Sequence, residues 1–340
     1  MLKKRTAKIY RKKGIASLPK IGISLGDPAG IGPEITLRAL SSSRALPKAH
    51  YVLFGSFAAI QRELKTLDIS LKIEPFQENS GPSERGISFV EMGTFPQSLK
   101  IGLPQKESGF LSFRYFEEAL EQARKGQIHA LVTAPISKQA WSLAGIRWPG
   151  HTEYLSQFYP KIIMCFWSAR LKVALFSHHI SLQKALERIE RNTLFHFFLR
   201  LYDSLSTQQS DSFQFLVAGL NPHAGEQGLM GSEEDNEIAP AVKDAQEKGI
   251  NIQGPFPPDV VFRMAMNQSR TIVIALYHDQ GLIPFKLESF EDGVNVSLGL
   301  PFVRTSPDHG TAFDIAGTGK ANPKSMVEAI KLAYKLTVSL

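Results

Sequence analysis

The sequence predicts an α/β protein made of two three-layer α/β/α domains with mainly parallel sheets. Three observations carry this reading. The 340 residues suit about two domains at roughly 150 residues each. From residue 20 onward, short apolar runs alternate with longer amphipathic segments, the pattern of strands and helices in a sheet covered on both faces. A glycine-rich turn, Gly26 to Gly32, joins the first apolar run to a segment opened by Pro33, which a helix tolerates at its start.

In chain order, Lys20 to Leu25 reads as a strand and Pro33 as a helix start. Tyr51 to Phe54 reads as a second strand. Residues 75–107 are rich in Gly, Pro and Ser and read mostly as loop, with a short strand near Ile87 to Val90. Ser108 to Gln127 reads as a helix, because Phe113, Phe116, Leu120 and Ala123 form one apolar stripe. Beyond it, strands are expected at His129 to Ala134, Leu171 to Phe176, Phe213 to Leu220, Thr271 to Tyr277 and Val294 to Leu298. Helices are expected from Ser137, over Ser181 to about Tyr202, over Glu233 to Lys248 and over Pro323 to Leu336. No internal repeat or low-complexity tract interrupts the series.

Composition excludes several classes. Hydrophobic residues make up 43% and charged residues 21%, an ordinary soluble balance with a core of normal size. The single cysteine, Cys165, rules out intramolecular disulfides and all-cysteine zinc sites. No apolar run reaches the ~18 residues of a spanning helix, and the basic start is not succeeded by an apolar signal segment. A cytoplasmic location without membrane contact is expected. The net charge of +7 lies wholly at the start: residues 1–20 hold eight bases and no acid, leaving 31 bases against 32 acids. Residues 1–19 are expected to be a solvated, disordered basic tail. Nucleic-acid binding through that tail is the competing reading, and the near-neutral body argues against it as the main role.

Ligands of open α/β sheets bind beyond the carboxyl ends of the strands, so the residues just past each strand matter most. After Phe176 come His178 and His179, after Leu220 comes Asn221-Pro222-His223, and after Tyr277 comes His278-Asp279. One such histidine would be a packing residue. Three at equivalent strand ends point to a divalent metal with an open position for substrate. Gly26, Asp27, Gly30 and Gly32 form either a tight turn or a backbone cradle beside a ligand; their spacing matches neither a dinucleotide fingerprint nor a P-loop. Gly150-His151-Thr152-Glu153 reads as a helix start with Thr152 as N-cap, which leaves His151 unexplained. Lys286 and Arg304 are candidate anion anchors, and Arg304 to Ala312 reads as a ligand-lining loop. Asp259 is a candidate helix cap. His50, His129 and His196 read as structural or surface residues, and nucleophile motifs lack supporting context.

The motifs GDPAGIGPE (26–34), TAPISK (133–138), GHTEYL (150–155), LNPHAGEQGLMG (220–231), GPFPPD (254–259), YHDQGLIPFK (277–286) and the stretch 294–323 run in order along nearly all of the chain. In this series the chain resembles the 4-hydroxythreonine-4-phosphate dehydrogenase family of vitamin B6 biosynthesis (PdxA). More distantly it is similar to isopropylmalate and isocitrate dehydrogenases, through its GDPAGIGPE start and the segment from His309 to Pro323.

The resemblance implies an isopropylmalate-dehydrogenase-like fold with the active-site cleft between the domains. Residues 20–130 with 305–340 would form the first domain, and 131–304 the second, carrying the metal ligands and a dimer interface. It implies His179, His223 and His278 as metal ligands. At the first of these the family reads Thr-Thr-His-Leu-Pro-Leu where this chain has Ser177-His178-His179-Ile180-Ser181-Leu182, and alignment through Leu182 selects His179. It implies substrate contacts from His151, Thr152, Lys286, Asn295 and Arg304, with Lys286 and Arg304 on the phosphate or carboxylate. Asp259, Asp279 and Lys286 are the candidates for the catalytic base. Gly26, Asp27, Gly30, Gly32, Asp308, His309 and Gly310 are the candidate contacts to NAD or NADP. One zinc, magnesium, cobalt or manganese ion per site is expected, in a homodimer whose active site takes residues from both subunits. The implied reaction oxidises 4-phosphooxy-L-threonine to 2-amino-3-oxo-4-phosphooxybutanoate, which loses CO2 to give 3-amino-2-oxopropyl phosphate. The competing readings are a paralogous dehydrogenase of 4-phosphoerythronate or 4-phosphothreonate, and a metal hydrolase.

Overall fold

The structure, a computed structural model, describes residues 18–42, 45–77, 86–96, 98–206 and 213–338. The expected disordered tail falls almost entirely outside the described residues. The chain divides into two compact units, residues 1–160 with 300–340, and residues 161–299.

The first unit holds strands β1 (Lys20–Ser24), β2 (His50–Gly55), β3 (Glu74–Pro75), β4 (Gly86–Glu91), β5 (Ala130–Thr133) and β12 (Val303–Pro307). They lie in the order β3-β4-β2-β1-β5-β12, every pair parallel. Its helices are α1 (Gly32–Ser41), α2 (Phe57–Thr66), α3 (Lys106–Arg124), α4 (Lys138–Leu143), α5 (His151–Ser156) and α11 (Lys324–Val338). Strand β5 is buried at every position, and β1 and β2 at all but their first residue, so helices cover both faces of these central strands. Helix α3 packs on β1, β2 and β5, and α11 on β5 and β12.

The second unit holds β6 (Ile163–Trp167), β7 (Lys172–Leu175), β8 (Gln214–Ala218), β9 (Ile252–Phe256), β10 (Thr271–Ala275) and β11 (Val294–Leu298). Their order is β11-β6-β7-β10-β8-β9; β6 runs antiparallel to both neighbours and the other pairs are parallel. Helices α6 (Leu182–Leu186), α7 (Arg191–Ser206), α8 (Ala239–Glu247), α9 (Pro258–Ala265) and α10 (His278–Ser289) connect them. Every second residue of the strands turns to one core: Met164 and Phe166, Val173 and Leu175, Leu216 and Ala218, Val273 and Ala275. Val261, Phe262 and Ala265 of α9 and Leu282 and Phe285 of α10 close over it. Burying a side chain of this size contributes about 1.5–3 kcal/mol.

The α/β class and mainly parallel sheets agree with expectation, and several elements differ in detail. The helix expected over Ser181 to Tyr202 is two. Ser181 caps α6 by accepting the Lys184 N–H at 3.3 Å. The chain then turns to bury Ile189, and α7 starts where the Arg191 backbone N–H meets Glu237 at 2.6 Å. The expected ligand-lining loop begins as strand, because Arg304 lies in β12 beside Leu131 of β5. Helix α10 escaped the periodicity reading because it holds Gly281 and Pro284 and carries no one-sided apolar stripe over its length. The two units also divide at different residues from the boundary expected at 130/131: α4 packs on α3, so residues 131–160 group with the first unit.

Candidate active site

In the second unit the three histidine segments leave the carboxyl ends of β7, β8 and β10. His179 lies past β7 with φ of 51°, and His223 lies past β8 with φ of 54°. Left-handed backbone at a residue with a Cβ costs on the order of 1 kcal/mol, and such strain concentrates at functional sites. Around His223 the strain is extended: Ala224, Glu226 and Gln227 have φ of 54°, 43° and 58°.

His278 opens α10, and its Nδ1 lies 2.6 Å from Oδ1 of Asp279. A carboxylate on one imidazole nitrogen fixes the ring and leaves the other nitrogen for a ligand, the arrangement seen behind metal-bound histidines. The His179 ring centroid is 5.8 Å from that of His278, and the His178 ring is turned nearly perpendicular to that of His179. The donor chemistry therefore fits a divalent ion, with His179 and His278 as the close pair and His223 on the neighbouring strand end. Among the described residues, no three ligand-type side chains are already gathered round one point.

In the same unit, Asn295 lies in β11 opposite Phe166, with its buried Oδ1 lacking a hydrogen-bond partner. Lys286 sits in the last turn of α10 with its Nζ 5.9 Å from the Phe290 ring centre. Asp259 is exposed in the first turn of α9, where Pro257 and not Asp259 holds the cap position.

The first unit builds a different feature. Arg304 is buried, and its guanidinium donates to Thr133 Oγ1 at 2.7 Å and lies 3.4 Å from His151 Nδ1. Burial pulls the guanidinium down to about 10, with Glu153 opposing, so Arg304 is a cation at neutral pH. Burial, and then Arg304, hold the His151 imidazole well below its usual range, so it is neutral. Its ring is wedged against Phe116 at 4.5 Å and Trp141 at 5.5 Å, and its Nε2 is buried without a partner. A buried cation beside an unsatisfied ring nitrogen suits an anionic group. Gly150 caps α5, so Thr152 lies inside the helix and not at the expected N-cap.

The glycine loop is packed. Gly26 (φ 70°) lies where a Cβ would come 2.3 Å from the Pro135 carbonyl oxygen. Asp27 accepts the Ala29 N–H at 2.9 Å and the Ser108 hydroxyl at 3.2 Å. Gly30 abuts Thr311, whose carbonyl accepts the Ile31 N–H at 3.0 Å. Gly26, Asp27, Gly30 and Gly32 are all buried, as the tight-turn alternative requires. The loop they support is open: Asp308 and His309 are half-buried and Gly310 is exposed with free space around it. His309 Nε2 is buried without a partner, a polar vacancy that fits a cofactor contact.

Sequence reasoning passed over Glu234, Gln280 and Ser177. All three are buried polar residues that bond backbone at the histidine-bearing strand ends. For Ser177 and Gln280 the available signal was a polar residue two positions from a candidate ligand. His50 and His129, read as structural, do bond Ser88 and the Lys20 N–H.

Comparison with known proteins adds a family. A family model described as pyridoxal phosphate biosynthetic protein PdxA matches residues 47–333. A D-threonate 4-phosphate dehydrogenase of Salmonella typhimurium is 42% identical over 339 residues, spanning 93% of this chain and 98% of its own. A 4-hydroxythreonine-4-phosphate dehydrogenase of Bradyrhizobium diazoefficiens is 38% identical over 340 residues, spanning 94% and 97%. The crystal structure of a 4-hydroxythreonine-4-phosphate dehydrogenase from Klebsiella pneumoniae superposes with a TM-score of 0.82 at 37% identity, covering 94% of this chain and all of that one.

Asp27 yields a prediction about pH. Burial pushes its carboxyl up from 3.8 to about 6, against its two hydrogen bonds. Between those values the folded chain holds a proton that the unfolded chain has released, so stability falls as pH rises through the window. Asp27→Asn removes that cost while keeping an acceptor for Ala29. It should stabilise the protein by on the order of 3 kcal/mol at pH 7.5 and by nothing near pH 3.5, read by urea denaturation at the two pH values. An equal effect at both would contradict the assignment.

Proposed function

The chain belongs to the PdxA family of dehydrogenases, and from this we propose that it oxidises the C3 hydroxyl of a four-carbon acid phosphorylated at C4. The resulting β-keto acid loses CO2, because the new ketone accepts the electrons that the carboxylate releases. The observation that carries the reading is the buried Arg304 cation beside the partnerless Nε2 of His151, a prepared place for an anionic substrate group. 4-Phosphooxy-L-threonine is the first candidate, giving 3-amino-2-oxopropyl phosphate on the way to pyridoxal 5'-phosphate. D-Threonate 4-phosphate is the second, favoured by the 42% identity of the Salmonella relative that bears that name.

His179, His223 and His278 would hold a divalent ion, which would supply polarisation of the hydroxyl oxygen, and a bound NAD or NADP would supply the hydride acceptor. The chain's own residues orient the substrate. Arg304, with the neutral His151 ring beside it, holds an anionic group of the substrate by a charge-assisted bond. Thr152 and Asn295 are the candidates for its uncharged polar groups. Asp308, His309 and Gly310 line the cofactor. Asp279 is engaged as the orienting partner of His278, which leaves Asp259 and Lys286 as candidates for the base that takes the hydroxyl proton.

A homodimer completes the reading. His179 and His223 are exposed in the single chain. Each histidine segment runs on into exposed apolar residues: Ile180 and Leu182, Leu229 and Met230, and Ile283 and Leu287 in α10 with Phe290 just past it. Large apolar surface of this kind marks an interface, and a second copy over it would enclose the histidines.

NADH or NADPH absorbance should rise when the protein, a divalent metal and the oxidised cofactor meet 4-phosphooxy-L-threonine or D-threonate 4-phosphate, and a chelator should abolish it. The faster substrate decides between the two candidates, and silence with both contradicts the reading. Light scattering should give twice the chain mass for the wild type and a monomer for Leu287→Asp/Phe290→Asp. A monomeric wild type would refute the shared site.

A further inference from the structure

The hydrogen bonds behind the histidines assign a role to a residue that binds neither substrate nor metal. We propose that Gln280 is a positioning residue that sets the spacing between the histidine-bearing ends of β8 and β10, and with it the geometry of the metal site. The inference rests on reading His179, His223 and His278 as the ligands.

Gln280 lies in the first turn of α10, two residues past His278, and its side chain is buried. It turns back to the strand ends. Its Oε1 accepts the Leu276 N–H at 2.7 Å, and its Nε2 donates to the Gly219 carbonyl at 2.7 Å. The pairing of β10 with β8 ends at Ile274 and Val217, so both backbone groups lie beyond the ladder. Without the amide they would be buried polar groups lacking this partner, a costly state. A planar amide that bonds one strand end with each of its two atoms fixes their separation as a rigid spacer.

The bonds continue on both sides. The Leu276 carbonyl accepts the Ser177 hydroxyl at 2.7 Å, which ties in the end of β7 two residues before His179. On the other side, Gly219 leads into Leu220 and Asn221, whose N–H groups both donate to Oε1 of buried Glu234 at 2.7 and 2.8 Å. The Asn221 amide then donates to Glu233 and Glu234 at 2.8 and 2.9 Å. A Cβ on Gly219 would lie 3.0 Å from Ala224 Cα, so this anchor also packs against the left-handed turn that carries His223. One series of bonds therefore runs Ser177, Leu276, Gln280, Gly219, and on through the next two residues to Glu234. It touches the exits of all three histidine-bearing strands, and Gln280 is the link in it that joins the β10 side to the β8 side.

The position requires a donor and an acceptor at once. Leucine supplies neither, and an ionised glutamate keeps the acceptor but loses the donor to Gly219. Loss of the link should let the strained His223 turn relax away from the other two histidines. Groups that orient metal ligands typically change metal affinity by about 10- to 100-fold when removed. Gln280 acts through backbone, so the lower end is expected.

The test uses the full chain, stripped of metal and titrated with Co2+ under visible absorption, for wild type, Gln280→Leu, Gln280→Glu and His278→Ala. Melting temperature is measured on each. The expected result is Co2+ binding by wild type, loss in His278→Ala, and binding roughly tenfold weaker in Gln280→Leu with altered cobalt bands. Gln280→Glu, which keeps the acceptor for Leu276 but sets an oxygen against the Gly219 carbonyl, should also bind Co2+ more weakly than wild type, and it decides the question if Gln280→Leu does not fold. A lower melting temperature with wild-type Co2+ affinity and spectrum would overturn the positioning role and leave Gln280 a structural residue. If wild type binds no Co2+, or His278→Ala binds it normally, the histidine reading fails and the inference falls with it.

Discussion

Burial of the central strands on both faces is the constraint on which the rest of the structure depends. In β5, β6, β7 and β10 every side chain is buried, and the only polar ones, Thr133, Lys172 and Thr271, lie at strand termini. The strand ends are the places where the chain can turn polar groups outward without breaking the ladder. In the second unit three of those exits carry histidine. In the first, the strand pair β5 and β12 carries Thr133 and Arg304, with His151 beside them. The apolar strands and the chemistry at their ends are one arrangement.

The cost of that arrangement is visible in the backbone. His179, His223 and Ala224 adopt left-handed conformations that residues with a Cβ avoid. Buried polar side chains hold these turns in place: Ser177, Gln280 and Glu234 in the second unit, while Ser108 and the Ala29 N–H hold Asp27 in the first. Each bonds backbone or a neighbouring carboxyl. Their work is to fix the loops that carry the candidate site residues.

Much of this was legible in the sequence because apolar strands announce themselves. Leu171 to Phe176 and Thr271 to Tyr277 were readable as buried runs, and the histidines just past them stood out for that reason. The antiparallel strand β6 was harder: it is an apolar run without the punctuation that marks the others. Helix α10 was hidden by Gly281 and Pro284. The split of the expected 181–202 helix turns on where Ile189 is buried, which is a tertiary fact. Gln280 and Glu234 were illegible as positioning groups, because a buried amide and a surface amide look alike until their partners are known. The candidate histidines were thus readable in the sequence, and the side chains that support their turns were opaque.

The most direct measurement is X-ray absorption at the cobalt edge of the Co2+-loaded protein. The expected inner coordination sphere holds three imidazole nitrogens with the rest oxygen, falling to two nitrogens in His223→Ala. An inner sphere of oxygen alone, or one unchanged by loss of His223, would contradict the claim that three strand ends deliver their histidines to one ion.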